Sequence, residues 1–379
     1  MIRPSRFLVV GFIVFFLFGC SKKGELPPIR IGHVVAPVGA DALDVERARQ
    51  GIVLAVEEVN QEDRLIMGRR VEVIEPEVRN DREGLGATAA RLVSFNKVAA
   101  LLGGSDFLQV ESLVEDLGLM PESAKVPLVV AGGIPGRPAN PFIYFLGLTP
   151  ADQGRMLGRF AAESWQDQSI ALLVSARESS RSYDIALADA FAREFGKSSS
   201  QVPGRRTFQT EHELAESARR LSSQSPAALV LAGTVEDLSV LRKAELAENV
   251  PILFAGPEGS LPFLANLDTP NTIYLATAFA ITDKPEKSRD FIAKYQTRFH
   301  TPPDVNAVLA YDCARFLFDG LQKAKSLEAA KIRETLSEIK SFAGVTGELR
   351  FQEDNSVSRA VFIVELIRGK TKIKKIYEQ

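Results

Sequence analysis

Residues 98–118 read VAALLGGSDFLQVESLVEDLG. The first five are short and apolar and form a strand, Val98–Leu102. Two glycines and a serine follow, and from Ser105 to Leu117 the apolar positions fall at helical spacing. Strand, tight turn and helix in that order make one half of a βαβ unit, and the same unit recurs on both sides. Upstream, Ile29–Val35 precedes a helix over Val45–Asn60, and Val71–Glu75 precedes a helix over Gly84–Phe95. Val126–Ala131 and Phe142–Leu146 close this first run, with a link around Gly147–Ala151.

The pattern then restarts. Strands over Ser169–Ser175, Arg205–Phe208, Ala227–Ala232, Pro251–Ala255 and Thr272–Thr277 alternate with helices over Tyr183–Phe195, Glu213–Ser222 and Val235–Glu248. Three helices follow (Glu286–Phe299, Val305–Lys323, Glu328–Ile339), and the chain ends with strands Gly347–Phe351 and Arg359–Leu366. Nearly continuous apolar strands alternating with helices predict parallel sheets covered on both faces. Two runs in series predict an α/β protein of two Rossmann-like lobes.

Composition narrows the function. Of 379 residues, 46 are Lys or Arg and 48 are Asp or Glu, so no basic excess exists to bind a phosphate backbone. Two cysteines and three scattered histidines exclude a disulfide scaffold and a Cys- or His-rich metal site. Near the N-terminus, Arg3 and Arg6 precede the apolar run Phe7–Phe18, which is too short to span a bilayer and reads as a secretory signal over residues 1–19. Leu17-Phe18-Gly19-Cys20 resembles the bacterial lipobox, which implies lipid attachment at Cys20 and an extracytoplasmic location. Ser21 after the cysteine implies the outer membrane if Gram-negative sorting applies. Residues 20–28 are polar, end in two prolines and suit a tether.

Open α/β sheets bind ligands beyond the carboxyl ends of their strands. Gly103-Gly104-Ser105 there reads equally as a helix cap or as an anion site built on a helix N-terminus; Asp106 opposes the anion. Gly132-Gly133-Ile134 is either a backbone approach to a ligand or an ordinary loop. Glu258, between Pro257 and Gly259, is either a solvated turn residue or a carboxylate facing a cation. Gly103-Gly104-Ser105-Asp106-Phe107 lacks the last glycine of a nucleophile elbow. Gly84-Leu85-Gly86-Ala87-Thr88-Ala89 lies too far from its strand to grip a dinucleotide. No nucleophile–base set stands out, so an enzyme is not expected.

Ile29-Arg30-Ile31-Gly32, Leu102-Gly103-Gly104-Ser105, Thr149-Pro150-Ala151-Asp152-Gln153-Gly154, Gly256-Pro257-Glu258-Gly259 and Ala310-Tyr311-Asp312 occur in this order over most of the chain. The whole resembles the type I periplasmic binding proteins, closest to the branched-chain amino acid (Leu/Ile/Val) branch of ABC transporter substrate-binding lipoproteins. The resemblance implies a hinge between lobe 1 (29–148 plus about 279–343) and lobe 2 (149–278 plus about 344–379). It implies an amino-acid-like ligand between the lobes, an ABC permease as partner and no cofactor. Ser105 and Gly104 then match the holders of the ligand carboxylate, Glu258 the acceptor of its ammonium, and Tyr183 an aromatic cover. Ile134 stands where the family has a hydroxyl residue beside Gly133, and Thr234 where an aromatic residue closes the pocket. The alternative is an envelope lipoprotein or sensor that keeps the fold for protein interaction.

Overall fold

The computed structural model describes residues 26–35, 42–75, 84–104, 107–121, 124–134, 140–200, 203–244, 246–281 and 286–378. The signal segment, Cys20, Ser105 and Asp106 lie outside them. The first lobe is built from β1 (Ile29–Val34), α1 (Ala42–Val59), β2 (Val71–Ile74), α2 (Leu85–Ser94), β3 (Ala100–Gly103), α3 (Phe107–Gly118), β4 (Leu128–Val130) and β5 (Ile143–Phe145). Its five strands run parallel in the order β2-β1-β3-β4-β5.

The second lobe follows with α4 (Pro150–Ser164), β6 (Ile170–Ser175), α5 (Arg181–Phe195), β7 (Gly204–Phe208), α6 (Glu211–Gln224) and β8 (Ala228–Ala232). It continues through α7 (Val235–Lys243), β9 (Ile252–Ala255), α8 (Leu261–Ala265) and β10 (Ile273–Thr277). The chain then returns to the first lobe with α9 (Glu286–Phe299), α10 (Val305–Ala324) and α11 (Ala329–Glu338). It closes with β11 (Ser341–Gly344), β12 (Gly347–Phe351), β13 (Val357–Ser358), β14 (Val361–Ile367) and β15 (Lys370–Tyr377). The second sheet has seven strands, β15-β14-β10-β9-β8-β6-β7, with β14 and β15 antiparallel on one edge.

Alternation along each strand divides the core in two, because successive side chains leave opposite faces. In β8, Ala228, Val230 and Ala232 join the cluster beneath α4 and α5, while Leu229 and Leu231 join the one beneath α6 and α7. In β3, Ala100 and Leu102 face α1 and α10, and Leu101 faces α2 and α3. Strands buried on both faces have no polar side, which explains their unbroken apolar runs. On the first lobe α1 meets α10 at Gly51, where a Cβ would stand 2.0 Å from the Ala307 carbonyl oxygen, so these helices touch through their backbones.

The last hairpins depart from the sequence expectation. Residues 341–358 form a small separate sheet, β11-β12-β13, seated on the first lobe. Phe351 stacks on Phe316 of α10 at 4.6 Å, and Asp312 accepts the Val345 and Thr346 N–H groups at 2.8 and 3.0 Å. The assignment of 344–358 to the second lobe therefore gives way to packing on α10. That lobe regains the chain only at β14.

Three segments connect the lobes: one between β5 and α4, one after β10, and one between β13 and β14. The first ends in a capping box, in which Thr149 Oγ1 accepts from the Asp152 N–H at 3.0 Å and Asp152 accepts from the Thr149 N–H at 3.3 Å. Pro150 occupies the first helical turn, so the motif Thr149–Asp152 starts α4 directly after the crossing.

Arg359, on the third crossing and 2% exposed, reaches the other two. Its Nη1 donates to the Leu146 carbonyl at 2.8 Å and its Nη2 to the Ala278 carbonyl at 3.3 Å. Glu258 and Asp312 supply the compensating negative charge, while burial lowers the guanidinium pKa. Replacing Arg359 by Met removes the two hydrogen bonds that clasp the crossings. Hydrogen bonds made by a charged group contribute about 1.5–3 kcal/mol. Urea unfolding of the Arg359→Met protein is expected to show a loss of that size; a midpoint equal to the wild type contradicts the clasp.

Candidate functional site

A cavity of about 470 Å³ lies between the lobes, within the range of roughly 300–1,000 Å³ usual for small-molecule sites. The first lobe lines it with Leu43 and Asp44 of α1, Gly132 and Gly133 after β4, and Asn306 and Leu309 of α10. The second lobe contributes Ser180 and Tyr183 at the start of α5, Thr234 and Glu236 at the start of α7, and Glu258 after β9. Each wall thus comes from helix starts or strand ends facing the same gap, as the parallel topology requires.

Glu258 is the most constrained of these side chains. It opens a short 3-10 turn, Glu258–Ser260. Its Oε2 accepts the Ala278 N–H and the Thr277 hydroxyl, the latter at 3.1 Å. Burial pushes its pKa up, while the Ala278 N–H, Arg359 and the Leu148 N–H hold its charge against that push. Ala278 and Leu148 lie on two crossings and Arg359 on the third. The carboxylate in the cavity is therefore bonded to the hinge itself.

Tyr183 packs its ring on the cavity wall, and its hydroxyl donates to Gln153 Oε1 at 2.5 Å. Gln153 Nε2 in turn approaches the Ala276 carbonyl at 3.2 Å and the Gly256 carbonyl at 3.4 Å, which ties α5 to the strand ends below Glu258. The phenol is thus bonded within the protein, to Gln153. Thr234 is the cap residue of α7, with Asp237 accepting its backbone N–H at 2.9 Å. Asp237 also takes a two-pronged ion pair from Arg177, at 2.8 and 2.9 Å. That pair fixes the loop ahead of Tyr183 against α7.

The structure thus brings Gly133, Tyr183, Thr234 and Glu258 to one cavity. Gly133 has a further reason to lack a side chain, since a Cβ there would stand 2.3 Å from the Leu148 carbonyl oxygen. Gly104 is half-buried, accepts the Gly132 N–H at 3.2 Å, and stands behind the wall rather than in it. Ile134 is a correction: it is 5% exposed and packs among Val34, Val110 and Phe145 in the core under α2 and α3, away from the cavity. Its apolar side chain belongs to that core, so it says nothing about ligand carboxylate binding. Ser105 lies outside the described residues.

Sequence reading missed Asp44, Glu236, Asn306 and the hinge residue Arg359. Asn306 carried a signal, as the one polar residue in the run 305–310, VNAVLA. It is 3% exposed and its Nδ2 has no hydrogen-bond partner. Asp44 and Glu236 look like ordinary first-turn acids of helices and give no such signal.

No helix among the described residues is long and apolar enough to cross a membrane. Comparison with known structures places the same fold in three solute-binding proteins. The branched-chain amino acid transporter substrate-binding protein LivJ of Streptococcus pneumoniae, solved with isoleucine, is 20% identical, with a TM-score of 0.75 over 93% of this chain and 99% of that one. The leucine-binding protein LivK of Thermotoga maritima is 18% identical, with a TM-score of 0.76 over 92% and 99%. An ABC transporter solute-binding protein of R. palustris, solved with benzoate, is 17% identical, with a TM-score of 0.73 over 92% and 96%. At these identities the likeness is one of fold. The family model described as "Periplasmic binding protein" matches residues 28–371. The chain belongs to the periplasmic binding proteins, a family of solute-binding rather than catalytic proteins.

Proposed function

We propose that this protein captures an amine-bearing, amino-acid-like solute between its lobes and delivers it to an ABC permease. The carrying observation is Glu258, a carboxylate on the cavity wall steadied by all three crossings. A ligand ammonium there gains charge-assisted hydrogen bonds, and closure of the lobes strengthens them by excluding water. Relatives of this fold have been solved with isoleucine and with benzoate. Glu258 favours the first kind, because a benzoate carboxylate beside it meets like charge.

Titration calorimetry of the Glu258→Gln protein tests this reading. Truncating one partner of a buried charge pair costs roughly 2–5 kcal/mol, so affinity for an amino acid ligand should fall about a hundredfold. Unchanged affinity removes Glu258 from the site.

Protons give an independent readout. Burial raises the Glu258 pKa in the empty cavity, whereas a bound ammonium favours the ionised carboxylate. Binding should thus release protons, and affinity should weaken as pH falls through the raised pKa. Calorimetry in buffers of different ionisation enthalpy reads this directly. Release that persists in Glu258→Gln assigns the proton elsewhere.

The lipid anchor belongs to the same proposal. Radiolabelled fatty acid is expected to mark the full-length protein and not the Cys20→Ser variant. Equal labelling of both contradicts attachment at Cys20.

A further inference from the structure

Solute capture gives no task to Asp184, which sits in the first turn of α5, directly after the cavity residue Tyr183, and is 1% exposed. Its Oδ2 accepts the Ser180 hydroxyl at 2.6 Å. Close by stands an equally buried carboxylate, Asp237 of α7, which holds both prongs of Arg177. Two buried acids thus share the surroundings of one guanidinium, and that guanidinium is committed to Asp237. Burial pushes the Asp184 pKa up to about 7; Asp237 adds to the push, while the Ser180 and Ser175 hydroxyls and the Arg177 charge oppose it.

The other charged groups around this node are paired or exposed. β6, β8 and β9 beneath α5 are apolar apart from Ser175. On α4, Asp152 and Arg155 pair with each other at 2.8 Å. Glu178, Arg181, Glu211 and Glu236 are exposed, and Glu111 of the first lobe reaches Ser182 rather than Asp184. The segment between Arg177 and Asp184 is itself cavity wall, since Ser179, Ser180 and Tyr183 line the cavity. With Asp184 neutral, one cation balances one anion. Ionised, Asp184 leaves an extra negative charge in a site closed to water. Relief comes only if Arg177 divides itself between the acids or the first turn of α5 opens to solvent. Either path displaces Ser180 and Tyr183.

We infer that Asp184 and Asp237, set about one guanidinium, form a proton-operated latch on the second-lobe wall, which receives a solute while Asp184 is protonated and loosens when Asp184 ionises. The inference rests on the capture reading above and adds its regulation. Asp184 is a positioning residue, acting through Ser180 and Tyr183. Its effect runs opposite to that of Glu258: affinity falls as pH rises through about 7. Stability follows the same sign. The folded protein keeps a proton that an unfolded aspartate releases near about pH 3.9, so this contribution is lost as pH rises toward 7.

Titration calorimetry of the mature protein against the twenty amino acids finds the tightest binder, whose affinity is then followed from about pH 6 to about pH 8. It is expected to fall about threefold to tenfold, because binding and protonation favour the same form of the wall. Asp184→Asn keeps an oxygen for the Ser180 hydroxyl and cannot ionise, so it should bind more tightly than the wild type at pH 8 and lose the alkaline limb. Ser175→Ala removes a hydroxyl that favours the charged form and should move that limb to higher pH. Thermal midpoints of the empty proteins check the folds, and the wild type should lose ground to Asp184→Asn as pH rises toward 7. A wild-type affinity that is flat over this range, or an Asp184→Asn protein with the wild-type profile, overturns the latch while leaving solute capture intact. Silence from all twenty amino acids overturns the capture reading and the latch with it.

Discussion

A guanidinium buried where three crossings meet is the constraint on which this structure turns. Arg359 cannot enter the interior without its hydrogen bonds and countercharges, because an uncompensated ion there costs several kcal/mol. It finds the carbonyls of Leu146 and Ala278 and the negative charges of Glu258 and Asp312. One side chain thereby ties the three connecting segments into a unit. Asp312 brings in the first lobe through α10, and Glu258 brings in the second through the end of β9. The Glu258 carboxylate on the cavity wall and the three crossings are parts of one polar node.

This arrangement gives ligand binding a mechanical consequence. A charge placed beside Glu258 would change the field at Ala278, Leu148 and Arg359, which lie on the three crossings. The rest of the second-lobe wall is held rigid: Arg177 and Asp237 lock the start of α7 to the loop before α5, and Gln153 holds Tyr183 to the strand ends. On the first-lobe side, Gly133 and Gly147 let backbone meet backbone, since a Cβ on Gly147 would stand 1.9 Å from the Ala131 carbonyl oxygen. A ligand shifts such an equilibrium only by the difference between its affinities for the open and closed forms. Residues on both walls are required for that difference.

Much of the fold was legible because buried parallel strands leave an unbroken apolar record. What escaped shows where that record fails. β15, KTKIKKIY, carries lysines along an exposed edge and never reads as core. β11 is only four residues long, and its turn to β12 runs through Gly344–Gly347. α5 starts at Arg181, two residues before the expected start, because Asp184 accepts from Ser180 at 2.6 Å and steadies the first turn. At the site, Glu258 and Tyr183 were within reach through a family resemblance. Ile134 was misplaced because position after a strand does not say which face a side chain takes. Arg359 was invisible: a lone arginine before an apolar strand is usually solvated, and only the meeting of three distant segments buries it.

Small-angle X-ray scattering of the mature protein, empty and saturated with the amino acid it binds, tests most directly whether ligand capture at the Glu258–Arg359 node draws the lobes together. The account predicts a smaller radius of gyration with ligand. Superimposable curves for the empty and saturated protein, with calorimetry showing the site filled, would contradict it.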